Sequence, residues 1–161
     1  MSDKMRWRYG DVNPVVAAVD SATVIEIGDL VWQDTNDAKP AGDFSWSSSI
    51  GGTQDGFANK FLGVAVQRSK AGETNQIRVA TSGVFEFACA STTFELGDIV
   101  GPAKASGNTL EPQKVVSVAD LAFSIGKVSM RVATTNTTVL VAIQSNVMAG
   151  GIQPSASSGT I

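Results

Sequence analysis

The sequence contains no histidine. Imidazole is the commonest general base, the usual activator of a nucleophile and the commonest metal ligand, so most hydrolase and metal-centre chemistries lose their ordinary working group. There is one cysteine, Cys89, which excludes an internal disulfide and a multi-cysteine zinc site. Charge is sparse at 17% of residues, with 12 Lys plus Arg against 15 Asp plus Glu and a net charge of −3. A pI near 4.8 argues against a partner recognised through its phosphates, so no direct nucleic-acid contact is expected. No stretch approaches the roughly 18 to 20 apolar residues that span a bilayer, and the first eight residues lack the apolar core of a signal peptide. No membrane partner is expected, and synthesis in a reducing cytoplasm is the simplest assumption.

What is present reads as β-structure. The chain of 161 residues, 43% of them hydrophobic, suits one domain with its own core. Sixteen glycines, with Ser, Thr, Asn and Asp, punctuate short runs of β-branched and aromatic residues, the texture of many short strands. Strands are expected over 23–27, 29–33, 61–68, 76–81, 84–89, 93–96, 98–102, 123–130 and 138–144. Phe85, Phe87 and Cys89 fall on one face of their strand and Glu86 on the other, which makes Cys89 a core thiol. The run Val139 to Ile143 has no polar alternation and predicts a strand covered on both sides. Helical signal is limited to one or two turns over 117–123, with Ser117 as cap, and a short turn over 55–60. The long polar stretch 34–56 reads as a functional or mobile loop. Residues 1–22 read as an extended arm and lead-in, 23–145 as the β-domain, and 146–161 as a flexible tail rich in Gly and Ser.

An internal echo organises the middle of the chain. Ile25-Glu26-Ile27-Gly28-Asp29-Leu30-Val31 is answered by Phe94-Glu95-Leu96-Gly97-Asp98-Ile99-Val100. Downstream, Phe61-Leu62-Gly63-Val64 parallels Ser124-Ile125-Gly126-Lys127, and Ile77 to Ala80 parallels Val139 to Ala142. Two copies of one β-unit within a single barrel or clip follow, since a solenoid needs three or more. Gly28 and Gly97 supply the positive φ of a tight turn, and Asp29 and Asp98 hydrogen-bond within it. Turn chemistry therefore accounts for both aspartates without a catalytic role.

The remaining motifs carry little chemistry. Ser124-Ile125-Gly126-Lys127 fits the Ser-x-x-Lys pattern of penicillin-recognising enzymes, but its surroundings read as strand and the companion motifs are missing. Gly51-Gly52 precedes no recognisable helix and reads as a loop dipeptide. Asp34 to Lys39 starts like a calcium loop, yet Lys39 stands where the turn glycine belongs and the twelfth-position Glu is missing. No catalytic, cofactor-binding or metal-ligating residue is assigned. The leader Lys4, Arg6, Trp7, Arg8 and Tyr9 reads as a basic-aromatic segment that docks on a protein neighbour.

In order along the chain, Gly10-Asp11-Val12, Ile27 to Val31, Phe61 to Ala65, Ile77 to Phe87 and Leu96 to Val100 resemble the capsid decoration, or cement, proteins of tailed bacteriophages, the group related in fold to the lambda-type head decoration protein. The resemblance spans about residues 10 to 144. It implies a compact, mostly β domain of barrel or β-tulip type, with a β-clip as the alternative, that trimerises on the outer surface of the phage head. There it ties neighbouring major capsid protein subunits together, without catalysis or cofactor, and its N-terminal arm reaches across the capsid. The partners so implied are the protein itself as a homotrimer and the major capsid protein, with Lys4, Arg6, Trp7, Arg8 and Tyr9 as capsid contacts and Gly28, Asp29, Gly97 and Asp98 in structural roles. The implied location is the virion, after synthesis in the host bacterial cytoplasm. Contrasting readings are a ligand-binding or enzymatic β-clip domain and a tail or baseplate subunit.

Overall fold

Short strands separated by turns make up most of the chain in the computed structural model, which describes residues 3–149. They are β1 (Trp7–Tyr9), β2 (Val15–Ala17), β3 (Leu30–Asp34), β4 (Asp37–Pro40), β5 (Phe61–Ala65), β6 (Ile77–Ala80), β7 (Ser82–Ala88), β8 (Ile99–Lys104), β9 (Leu110–Ser117), β10 (Gly126–Val128) and β11 (Thr138–Gln144). Helix α1 (Ile50–Lys60) lies between β4 and β5, α2 (Asn146–Ala149) follows β11, and 3-10 turns occupy Ala41–Asp43 and Leu121–Phe123. The mostly β class expected from the sequence is what the fold shows.

The strands form two sheets. One has the order β2-β6-β5-β3-β4 and the other β1-β7-β11-β10-β8-β9. Leaving β1 aside, the second order is the first with five added to every strand number, so the fold is a tandem duplication of one five-stranded unit. The closures match as well. In the second unit the first and third strands pair in parallel through Ala88 and Lys114; in the first, the Ala38 amide donates to the Ala18 carbonyl at 2.8 Å. Equivalent interior positions hold apolar pairs: Ile25 and Phe94, Val31 and Val100, Leu62 and Ile125, Ala65 and Val128, Ile77 and Val139, Val79 and Val141, all buried. The first unit keeps a small core of its own, while its opposite face, with Leu30, Trp32, Phe61 and Val64, joins the second unit's interior in one larger core.

Several expectations are corrected. The stretch 34–56 is not one loop: it contains β4, a 3-10 turn and most of α1. Gly51 and Gly52, expected in a loop, lie inside α1, where Ser49 caps the helix by accepting the Gly52 amide at 3.1 Å. Gly52 and Gly56 allow close approach, since a Cβ on Gly52 would meet the Ser47 hydroxyl at 2.6 Å and one on Gly56 the Phe44 ring at 3.1 Å. The segments 23–27 and 93–96 are reduced to single bridges, Ile25 to Ser69 and Phe94 to Val132, because the turns that follow divert the backbone. The turn over 117–123 shrinks to Leu121–Phe123, capped by Asp120 rather than Ser117. In β11, Val139, Val141 and Ile143 are buried, but Leu140 is half-buried and Ala142 exposed, so this strand is covered along its edges by β7 and β10 and on one face only. The leader is extended, as expected, but residues 3–17 are built into both sheets rather than lying off them. The tail expected over 146–161 lies outside the described residues beyond α2.

Candidate interaction surface

The two Gly-Asp turns are built alike. Gly28 and Gly97 have φ of +99° and +89°. The Asp29 carboxylate accepts the Glu26 amide at 2.9 Å, and Asp98 accepts the Glu95 amide at 2.8 Å. The backbone repeats the pattern: Gly28 donates to Ala65 and Gly97 to Val128, while Ala65 donates to Asp29 and Val128 to Asp98. Gly28, Asp29, Gly97 and Asp98, the turn residues singled out from sequence, lie in these two turns.

Their surroundings differ because of the leader. The Lys4 amide donates to the Ile27 carbonyl at 2.8 Å, and the Asp3 carboxylate accepts the Ile27 amide at 2.8 Å while pairing with Arg68 at 2.8 Å. The Ile27 amide is the main reason that the Asp3 carboxyl falls to about 2, with hydrogen bonds from Glu26 and Arg68 adding to it. Glu26 moves up, chiefly because it shares that hydrogen bond with Asp3. Arg6 is buried: its Nε donates to Gln113 Oε1 and its Nη1 to the Glu86 carbonyl, both at 2.9 Å. Gln113 passes the polarity on, its Nε2 donating to Asp29 Oδ1 at 2.9 Å. Leader, second unit and first turn are thus joined through one buried chain of donors and acceptors. Burial pushes the Asp29 carboxyl up and the Arg6 guanidinium down from their usual values. Sequence reasoning missed Asp3, Arg68 and Gln113, for which no motif exists; it placed Arg6 on a docking face that the buried side chain does not reach.

The rest of the leader stays on the surface. Trp7 and Tyr9 lie on β1, exposed, with Trp7 Nε1 donating to the Gly10 carbonyl at 3.0 Å. Arg8 pairs with Glu86, which lowers the Glu86 carboxyl, and Lys4 is exposed. Beside them runs an apolar groove of about 480 Å³ lined by Met5, Trp7, Val12, Pro14, Val66 and Arg78. Val16, 57% exposed, lies opposite Arg78 in the strand register and extends the apolar strip. Met5, Trp7 and Val16 are large exposed apolar side chains around this groove, where the edge strands β1 and β2 of the two sheets lie, and Tyr9 is a further exposed aromatic on β1; exposed apolar patches of this kind are candidate interaction surfaces.

A second, larger cleft of about 740 Å³ lies over β10 and β11 and includes Ser124, Lys127, Asn13 and Ser82. The Ser124 hydroxyl donates to the Leu121 carbonyl at 2.7 Å, and the Asn13 amide to the Ser82 hydroxyl at 3.0 Å. Lys127 lies in β10, as the sequence indicated, but Ser124, expected within a strand, instead ends the 3-10 turn Leu121–Phe123, to whose first carbonyl its hydroxyl is tied. Cys89 is buried in the larger core, where burial pushes its thiol up. Among the described residues no group of three or more His, Cys, Asp or Glu is placed to hold a metal ion, and no helix is long and apolar enough to cross a membrane. The acidic run 34–39 is a hairpin closed by a Lys39–Asp34 ion pair at 3.1 Å.

Neither a family model nor a curated protein matches the chain. Among solved structures, the fold is similar to the N base of head fiber gp8.5 of bacteriophage phi29, at 13% identity and a TM-score of 0.44, over 81% of this chain and 94% of that one.

Proposed function

We propose that the protein is a non-enzymatic structural protein of a phage virion, a decoration protein that binds the outer surface of the head as a homotrimer and stabilises the major capsid protein lattice. The observation that supports this reading is the apolar groove beside the exposed Met5, Trp7 and Val16, with Tyr9 exposed further along β1, joined to the sequence resemblance over residues 10 to 144. Buried aromatics are the usual anchors of such contacts, each worth about 2 kcal/mol or more when truncated. Trp7 and Tyr9 are exposed on a strand fixed by the sheet, so the aromatic surface is preorganised for a partner. Lys4 and Arg8 flank it as charged rim; Arg6 serves the fold and not the contact.

The test compares the full chain with Trp7→Ala and Tyr9→Ala, first separately and then together, for occupancy on expanded heads that lack the protein. Each single variant should keep its circular dichroism spectrum and lose about tenfold or more in affinity. Undiminished binding by the double variant would overturn the assigned surface. Light scattering reports the trimer, and heating heads with and without bound protein while assaying DNA release reports the stabilising role, through the linkage by which a ligand of the intact lattice stabilises it. The cleft over β10 and β11 is the feature that favours the alternative of a ligand-binding domain. Alanine at Ser124 and Lys127 should leave head binding unchanged if the decoration reading holds.

A further inference from the structure

The duplication places two equivalent turns in one molecule, one covered and one bare. At the first, a Cβ built on Gly28 would meet the Lys4 carbonyl at 2.4 Å; at the second, a Cβ on Gly97 meets nothing within 4 Å. Ile27, half-buried, spends its amide on Asp3 and its carbonyl on Lys4. Its counterpart Leu96 is 72% exposed, and neither its amide nor its carbonyl makes a hydrogen bond among the described residues. The cation is duplicated as well. Arg68 stands one residue before Ser69, the bridge partner of Ile25, and Arg131 stands one residue before Val132, the bridge partner of Phe94. Arg68 holds Asp3. Among the described residues Arg131 is paired only with Glu95, at 2.8 Å and with both side chains more than half exposed, a contact of the kind that exchanges readily.

We propose that the second turn is a docking site for an extended segment of another protein chain that carries an aspartate or glutamate. The segment lies over Leu96 as Asp3-Lys4 lies over Ile27. Its carboxylate accepts the Leu96 amide and pairs with the Arg131 guanidinium, and the amide of the next residue donates to the Leu96 carbonyl. Charge complementarity comes from Arg131, and the exposed Leu96 and Met130 side chains, at 72% and 52%, offer apolar flanks. The occupant comes from another chain because this chain's own leader is already held at the first turn. The internal duplication, and not the decoration reading, defines this site, so either stands if the other fails.

The experiment titrates isotope-labelled full-length protein with an end-capped peptide of residues 2–6, Ser-Asp-Lys-Met-Arg, while following individual amides by NMR. Shifts centred on Leu96, Gly97 and Arg131 are expected, with an affinity that drops roughly tenfold when the peptide aspartate is replaced by asparagine. The protein variant Arg131→Ala should show a similar drop, whereas Arg78→Ala should bind as the parent does. Shifts confined to Ile27 and the leader would mean exchange at the first turn and overturn the proposal, as would an absence of shifts at millimolar peptide or equal binding by the asparagine peptide.

Discussion

At the scale of single residues, two aspartates with the same local role carry different weight. Asp29 is buried and takes hydrogen bonds from both the Glu26 amide and Gln113 Nε2, while Gln113 is itself oriented by Arg6. The chain of donors runs one way, so Asp29→Asn sets an amide donor against another donor and should cost about 1–3 kcal/mol in urea unfolding. Asp98→Asn keeps an acceptor for the Glu95 amide on the surface and should stay within about 0.5 kcal/mol of the parent. Asp3 makes a pH prediction. Its folded pKa of about 2 lies below the ordinary 3.8, so its contribution to holding the leader is complete above that ordinary value and is lost as pH falls toward 2. Hydrogen exchange at the Ile27 amide should accelerate across this window relative to the parent's amides elsewhere, and Asp3→Asn should abolish the pH dependence. Asp29 acts in the opposite sense, since a raised carboxyl relieves a destabilising buried charge as pH falls; the local readout at Ile27 separates the two.

At the scale of elements, the strand spacings leave no room where units repeat. A Cβ on Gly63 in β5 would come within 1.8 Å of the Ala80 carbonyl oxygen, and one on its counterpart Gly126 in β10 within 2.4 Å of the Ala142 oxygen. Gly63→Ala and Gly126→Ala should each cost more than about 2 kcal/mol or prevent folding, because the atom encountered is backbone and cannot turn aside. Gly107→Ala, at positive φ but in open space, should cost only the backbone strain, about 1–2 kcal/mol. Thermal unfolding of the three variants tests this order. The same elements show where sequence patterns are readable. Strands β6, β7 and β11 carry their β-branched and aromatic residues at a period of two and were legible. Helix α1 was legible only as a short turn over 55–60, because three glycines in 11 residues lower its intrinsic propensity; what stabilises its full length is Phe57 packed edge-on to Phe44 and near Phe61, and Gln54 donating to the Pro102 carbonyl at 2.9 Å.

At the scale of the whole molecule, the leader fastens the two halves of the duplication to each other. It adds β1 to β7, lays Asp3 and Lys4 on the first turn, and inserts Arg6 between Gln113 and the face of Phe87, whose ring centroid is 5.8 Å from the guanidinium carbon. Deleting residues 1–9 therefore removes more than a docking strip. It strips Gln113 of its buried Arg6 partner and Ile27 of Asp3 and Lys4, and should lower stability by about 3 kcal/mol or more. Point variants at Trp7 and Tyr9, which leave the Arg6 chain intact, are the ones that separate binding from folding. Urea denaturation of the deletion beside the Trp7→Ala variant checks the distinction: a large loss is expected only for the deletion.

Local chemistry was enough to determine the β class, the core placement of Cys89, the two Gly-Asp turns and the existence of a repeated unit, because each rests on residues within a few positions of one another. A period-two pattern, a positive-φ glycine and an Asp that caps its own turn act through the backbone around them. The closure of each unit through its first and third strands, the burial of Arg6 and the difference between the covered turn at Gly28 and the bare one at Gly97 were settled only by tertiary structure. Those features depend on contacts across long separations: Arg6 reaches Gln113 over 107 residues and Gln113 reaches Asp29 over 84. An exposed-looking basic leader and a buried one have the same sequence signature until the donor and acceptor at the far end are in place.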